Sequence, residues 1–200
     1  MPTTPEMTKP AHRSTPPHTA YKFLATGALG PISRVPWPRP QPGRAADWIS
    51  VTPPLDLCRR GIHVCGKEQL AHWLHEELWR VEVDGQAIDG IDCVVMERAR
   101  LVEPVHAWSA GGAQRFAAAV RDRAARLIET RPLEEQAWLQ GYVQDASFHV
   151  VNATLESPAL AALCASVGVA RIAPTEEQEA VYRAERAWQS AWIVAEMGLS

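Results

Sequence analysis

Between Leu57 and Gly85 the spacing of the apolar residues changes twice. The run Leu57-Cys58-Arg59-Arg60-Gly61-Ile62-His63-Val64-Cys65 alternates, which puts Ile62 and Val64 on one side of a strand and His63 and Cys65 on the other. Lys67 to Glu77 has helical spacing: Leu70, Trp73 and Leu74 share one stripe, and Glu68, His72, His75 and Glu76 lie off it. Leu78 to Val83 alternates again, with Trp79, Val81 and Val83 opposite Leu78, Arg80 and Glu82. A strand, a short helix and a half-buried strand in so few residues demand a sheet with its helix close by. The same unit holds two of the four cysteines, three of the seven histidines and two of the eight tryptophans.

The flanks extend this pattern. Residues 1–20 carry Pro2, Pro5, Pro10, Pro16 and Pro17 among polar side chains. Such a segment buries too little apolar surface to offset its ordering entropy, and it reads as a disordered arm. Tyr21 to Leu24 is a first strand, ended by Gly27, Gly30 and Pro31. Pro36-Trp37-Pro38-Arg39-Pro40-Gln41-Pro42 favours polyproline II, and Trp37 there either serves an aromatic-lined groove or lies on the core. Asp47 to Val51 is a second short strand. Asp84-Gly85 and Asp89-Gly90 are turn formers, so the connection is predicted across 84–90, with Cys93 to Val102 returning as an antiparallel partner.

From Ser109 the period becomes helical. Ala113, Phe116, Val120, Ala124, Leu127 and Ile128 form one face of a first helix, and Arg121, Asp122, Arg123 and Arg126 the other. Pro132 with Glu134 and Glu135 opens a second helix. Ser147 to Val169 reads as two short helices meeting at Glu156-Ser157-Pro158. Thr175 and Gln178 have capping-box spacing, and the last helix is predicted to bury Val181, Ala184, Trp188, Ala191, Trp192 and Ala195 before Gly198 ends it. The predicted fold is α+β: a small antiparallel sheet with a short helix, followed by a C-terminal helical half packed on it. Residues 21–108 form the β-rich half and 109–200 the helical half of the same domain.

Several classes of activity are disfavoured. A net charge of −3 argues against a nucleic-acid binder. No apolar run reaches the roughly 18 residues that span a bilayer, and no apolar leader is visible, so no membrane association and a cytoplasmic location are expected. No phosphate loop, dinucleotide fingerprint, H-E-x-x-H, G-x-S-x-G or paired C-x-x-C occurs, so no cofactor is assigned.

The candidate sites are then few. Cys58, His63 and Cys65, with Cys93 as a fourth ligand, have the donor chemistry of a zinc site, but their spacing is not that of two paired knuckles. Buried cysteines more often serve as small apolar residues, and no metal is assigned. As a thiol and its base, Cys65 and His63 would stand roughly 6–7 Å apart on one strand face, too far for a hydrogen bond. The binding candidates are Trp37, Trp48, His63 and Cys65.

Tyr21-Lys22-Phe23, the unit Leu57-Cys58-x-x-Gly61-Ile62-His63-x-Cys65, then Trp73-Leu74, and Glu77-Leu78-Trp79-x-Val81-Glu82-x-Asp84-Gly85 carry a resemblance. So do Arg98 to Val102, His106-Ala107-Trp108, and Glu185-Arg186-x-x-Gln189-Ser190-x-Trp192 with Gly198-Leu199. Over residues 21–200 the chain resembles a family of bacterial proteins common in actinobacteria, for which the resemblance implies no activity. A shorter domain in phage proteins is similar only around Cys-x-x-Gly-x-His-x-Cys. Gly61-Ile62-His63 before Leu70-Ala71-His72-Trp73 also resembles, locally, the nicotinamide-lining strand and helix of ADP-ribosyltransferase-like folds. That likeness would give Lys22 the first-strand role and Glu82 or Glu103 the catalytic carboxylate.

The resulting expectation is a non-enzymatic cytoplasmic interaction protein with a protein partner, and a helix-mediated homodimer fits the sequence. The alternative is a small metal-binding or ADP-ribosyltransferase-like enzyme centred on Cys58, His63 and Cys65.

Overall fold

A long antiparallel hairpin is the spine of the molecule. The computed structural model describes residues 12–154 and 157–199, with side chains from His18 onward. The sheet comprises β1 (His12–Leu24), β2 (Ile49–Ser50), β3 (Ile62–Val64), β4 (Glu77–Asp89) and β5 (Val94–Pro104). Its order is β1-β4-β5-β2, with β3 also on β5, and every pairing is antiparallel.

The sheet rolls until its edges meet. The Tyr21 N–H donates to Cys65 O at 2.9 Å and the Cys65 N–H to Tyr21 O at 2.7 Å. This single rung closes β1, β4, β5 and β3 into a ring, and next to it Lys22 Nζ donates to His63 O at 2.6 Å. Inside the ring lie Ile62, Val64, Val81, Val83, Ala99 and Leu101. Trp37, in the loop after β1, packs onto the same cluster.

Two departures from the strand expectations have local causes. β4 runs through Asp84-Gly85 instead of ending there. Gly85 takes a φ of +87° and the pairing skips a residue between Asp84 and Ala87, so the dipeptide makes a bulge. The Glu97 carboxylate accepts the Gln86 N–H at 3.0 Å within it. The true turn lies at Gly90, whose N–H reaches Cys93 O at 2.8 Å. β1 begins at His12, so 12–20, read above as arm, pair with β4. Backbone pairing needs no apolar side chains, which is why composition missed it. The rest of the predicted arm, 1–11, lies outside the described residues.

The predicted helix between β3 and β4 is a single 3₁₀ helix, Lys67–His72. Four α-helices follow: α1 (Ala110–Glu129), α2 (Leu133–Asn152), α3 (Ser157–Ala170) and α4 (Gln178–Glu196). Ser109 caps α1 by accepting the Gly112 N–H at 3.2 Å. α1 buries Phe116, Val120, Ala124 and Ile128, as its period predicts. α2 absorbs Ser147 to Asn152, and the break falls at Ala153, in the left-handed region. Pro158 sits in the first turn of α3, where its missing N–H is not needed.

The Thr175–Gln178 capping box does not form. Glu177 is the N-cap of α4, and the Gln178 amide donates to Ala173 O at 3.2 Å. The buried side of α4 is also rotated from the predicted stripe. Glu185, Arg186, Gln189, Ser190 and Ile193 are buried, while Ala184, Ala191 and Ala195 are exposed. One core cluster joins Tyr21, Phe23 and Leu78 of the sheet to Trp108, Phe116 and Ile193. The architecture is thus the α+β arrangement expected. Among the described residues no helix is long and apolar enough to cross a membrane.

Candidate functional site

Gly61 sets the geometry of the Cys/His unit. Its φ of +142° is closed to L side chains, and a Cβ there would overlap Val95. The tight approach directs the half-buried His63 toward Trp73, with ring centroids 6.4 Å apart. His63 Nε2 accepts the Cys58 N–H at 3.2 Å, which leaves the ring's proton on Nδ1 when the ring is neutral. Burial, reinforced by the Lys22 charge, lowers its pKa and favours that neutral ring.

The thiols disperse. Cys65 lies in the core under the helices, and burial pushes it up to about 12. Cys93 lies in a separate small core with Leu55, Ile88 and Val95, and burial followed by the Asp92 charge pushes it to about 12. Cys58 is exposed, on a left-handed backbone with φ of 62°. Among the described residues no three of His, Cys, Asp and Glu are grouped so as to hold a metal. Cys58, His63, Cys65 and Cys93 are therefore not a zinc set. Cys65 is protonated at neutral pH, and the Nε2 of His63 is engaged by backbone, so the pair has no nucleophile and no free base.

The transferase-like set also fails to converge. Lys22 pairs with Trp79 on the inner face of the sheet. Glu82 and Glu103 belong to the opposite face of β4 and β5, where Glu82 binds Arg100 at 2.7 Å and Glu103 binds Arg80 at 3.1 Å. With Asp84 and Arg98 at 2.8 Å they form a cross-strand ladder of three ion pairs.

The tryptophans divide by packing. Trp37 is buried, with Lys22 Nζ 5.2 Å from its ring centre, and presents no contact surface. Trp48 is half-buried, and the Arg98 and Arg100 guanidinium carbons lie 4.7 Å from its ring centre.

Three further features are less visible in the sequence. A cleft of two adjoining lobes, 390 and 450 Å³, shares Glu76, Trp108 and Ser109. Its carboxylates are already engaged. Glu76 accepts the Thr26 N–H, and that bonding lowers its pKa. Glu77 accepts the Gly27 N–H at 2.8 Å, the Ala28 N–H at 3.2 Å and the Trp79 indole at 2.8 Å. The two side chains buckle the loop after β1 to the sheet.

The second feature is a buried polar layer between α4 and the 3₁₀ helix. Arg186 donates to Ala71 O and, at 2.9 Å, to Gln189 Oε1. Ser190 Oγ accepts the Ala71 N–H at 3.0 Å, and Gln189 donates to Ser166 Oγ at 2.9 Å. Glu185 accepts from Arg123 at 2.8 Å. The Glu185-Arg186-x-x-Gln189-Ser190 run of polar residues within the helix was the available signal, and hydropathy pointed elsewhere.

The third feature is the outer side of α2. Nine large apolar side chains are exposed among the described residues, and five belong to α2 and α3, which concentrates them there. Leu133 is 83 % exposed, Trp138 52 %, Phe148 63 %, Val151 80 % and, on α3, Leu163 45 %. On a helical wheel the four α2 residues lie within one broad arc, opposite the buried Leu139, Ala146 and Val150. Gly141 falls in the middle of that arc, with open space where a side chain would be.

No protein-family model, curated protein or solved structure matches this chain.

Proposed function

We propose that the protein works by docking other protein chains and not by catalysis, and that it does so in the cytoplasm as a member of the actinobacterial family it resembles. The outer face of α2 carries this reading. A helix apolar on both sides is stable when both sides are covered, and α2 is covered on one. Aromatic residues such as Trp138 and Phe148 are the side chains that contribute most to contacts between proteins. Dispersal of Cys58, His63, Cys65 and Cys93, with the Cys65 and Cys93 thiols held protonated by burial, supports the same reading over an enzyme built on them.

A photo-cross-linking residue placed at Val151, and in a second strain at Glu129, tests it in the cells that make the protein. Adducts of discrete mass from position 151 and none from 129 are the expected result. No adduct from 151, or the same set from both positions, overturns the reading.

A further inference from the structure

Cys65 and Cys93 pack in different clusters, yet their backbones are neighbours in the sheet. In the β3–β5 ladder Ile62 stands opposite Met96, His63 opposite Val95 and Val64 opposite Val94. One step further, the same register sets Cys65 opposite Cys93. Both backbones are still held at that step. Cys65 makes the Tyr21 rung, and the Cys93 carbonyl accepts the Gly90 N–H at 2.8 Å. We infer that Cys65 and Cys93 are an oxidisable pair, joined across β3 and β5 as a disulfide in oxidising surroundings, and that this bond locks the seam of the rolled sheet.

The directions of the backbone groups carry the geometry. Cys65 sends both its N–H and its carbonyl to Tyr21, away from β5, and the Cys93 carbonyl turns to Gly90, away from β3. The pair is thus a non-hydrogen-bonded site of an antiparallel ladder, where Cα atoms approach to about 4.5 Å. A disulfide spans Cα separations of about 4.4–6.8 Å, so the bond needs rotation of two side chains and no strand movement. Directly opposed residues project from one face, which here also carries His63 and Val95. Trp73 packs against the clusters of both cysteines and lies over that face. A Cα separation at the short end of the range strains the bond and makes it easier to reduce, which suits a reversible link.

Thiol–disulfide exchange with a low-mass disulfide forms the link. Cys93 directly follows the exposed residues Ile91 and Asp92 of the hairpin turn, so its thiolate attacks first and one small thiolate leaves. The Cys65 thiolate then attacks the Cys93 sulfur and expels the second. Two protein thiols are oxidised, and the small disulfide is reduced to two thiols that take up the two protons. Burial makes both steps slow, and the Lys22 ammonium, which favours both thiolates, works against it. Because Cys65 also pairs with Tyr21, a bond at this residue ties β1, β3 and β5 together at one point.

The test uses the full chain with the exposed Cys58 replaced, Cys58→Ser, equilibrated in glutathione buffers that run from reducing to oxidising. After acid quenching and blocking of free thiols, a digest of the oxidised samples should yield the Cys65 and Cys93 peptides joined to each other. The joined fraction should fall again as the buffer becomes reducing. The linked protein should melt about 5 °C above the reduced protein, and dithiothreitol should return it to the lower value. Thiols that stay free at every ratio overturn the inference, as do thiols that end only as glutathione adducts or as links to Cys164. Linked protein that melts no higher than the reduced protein also overturns it, because the bond then does not fit the native strands.

Discussion

Lys22 places an ammonium group at the seam of a rolled sheet, beside Trp37 and against the His63 carbonyl. Burial lowers its pKa from 10.5 to about 8. The unfolded chain therefore binds more protons between those values, and stability rises with pH across that window by on the order of 1–3 kcal/mol. The contribution is complete above 10.5 and is lost as pH falls through about 8. Urea unfolding at pH 7 and pH 10 should show the wild type gaining on Lys22→Met at the higher pH; a constant difference would exclude the buried charge as the cause. The thiols make a second residue-scale prediction. Native titration at pH 8 should find one fast thiol, Cys58, which Cys58→Ser removes, with Cys65 and Cys93 slow and the half-buried Cys164, whose pKa burial also raises, slower than Cys58. Period-two alternation correctly placed His63 and Cys65 on one strand face. What alternation cannot show is that the sheet rolls, covers Cys65 with helices and turns His63 onto Trp73.

Elements were readable where one face meets apolar neighbours. The β4–β5 hairpin and the buried stripe of α1 follow from period alone. α4 was misread because its buried side is polar, and the partner that satisfies it lies far away in sequence. Arg186 and Ala71 are 115 residues apart. Arg186→Met removes donors from the Ala71 carbonyl and from Gln189, which should cost about 1–3 kcal/mol in urea unfolding. Amide exchange over Lys67 to Trp73 should quicken in the same variant. Unchanged stability and protection would mean that the polar layer does not hold the 3₁₀ helix. The bulge at Gly85 was hidden for a related reason: the dipeptide that makes a turn also makes a bulge, and the choice depends on the Glu97 carboxylate across the hairpin.

At the scale of the whole molecule the two halves share one core. Phe23 packs edge-on against Trp108 at 5.1 Å, Trp108 meets Phe116 at 5.8 Å, and Phe116 meets Trp192 at 5.5 Å. A fragment of residues 109–200 loses the sheet side of this stack, so it should show no cooperative melt and no near-ultraviolet dichroism. A cooperative melt from the fragment would make the helical half a domain of its own. The α+β class was legible because, after the one short helical stretch between β3 and β4, the change from period two to period 3.6 near Ser109 is not reversed. Closure of the ring was not, because one backbone rung between Tyr21 and Cys65 leaves no mark on side-chain pattern.

The prolines of β1 acquire a different meaning once that strand is seen. β1 is joined to β4 along one side and to Cys65 only at Tyr21 on the other, so the stretch from His12 to Ala20 is the open border of the sheet. An open border is where stray chains add on and fibrils begin. Pro16 and Pro17 fall at the break in pairing between Thr15 and His18, and neither can offer an N–H to an incoming strand. Composition that resembles disorder thus serves as a guard against self-templating, at the longest border the rolled sheet leaves open among the described residues.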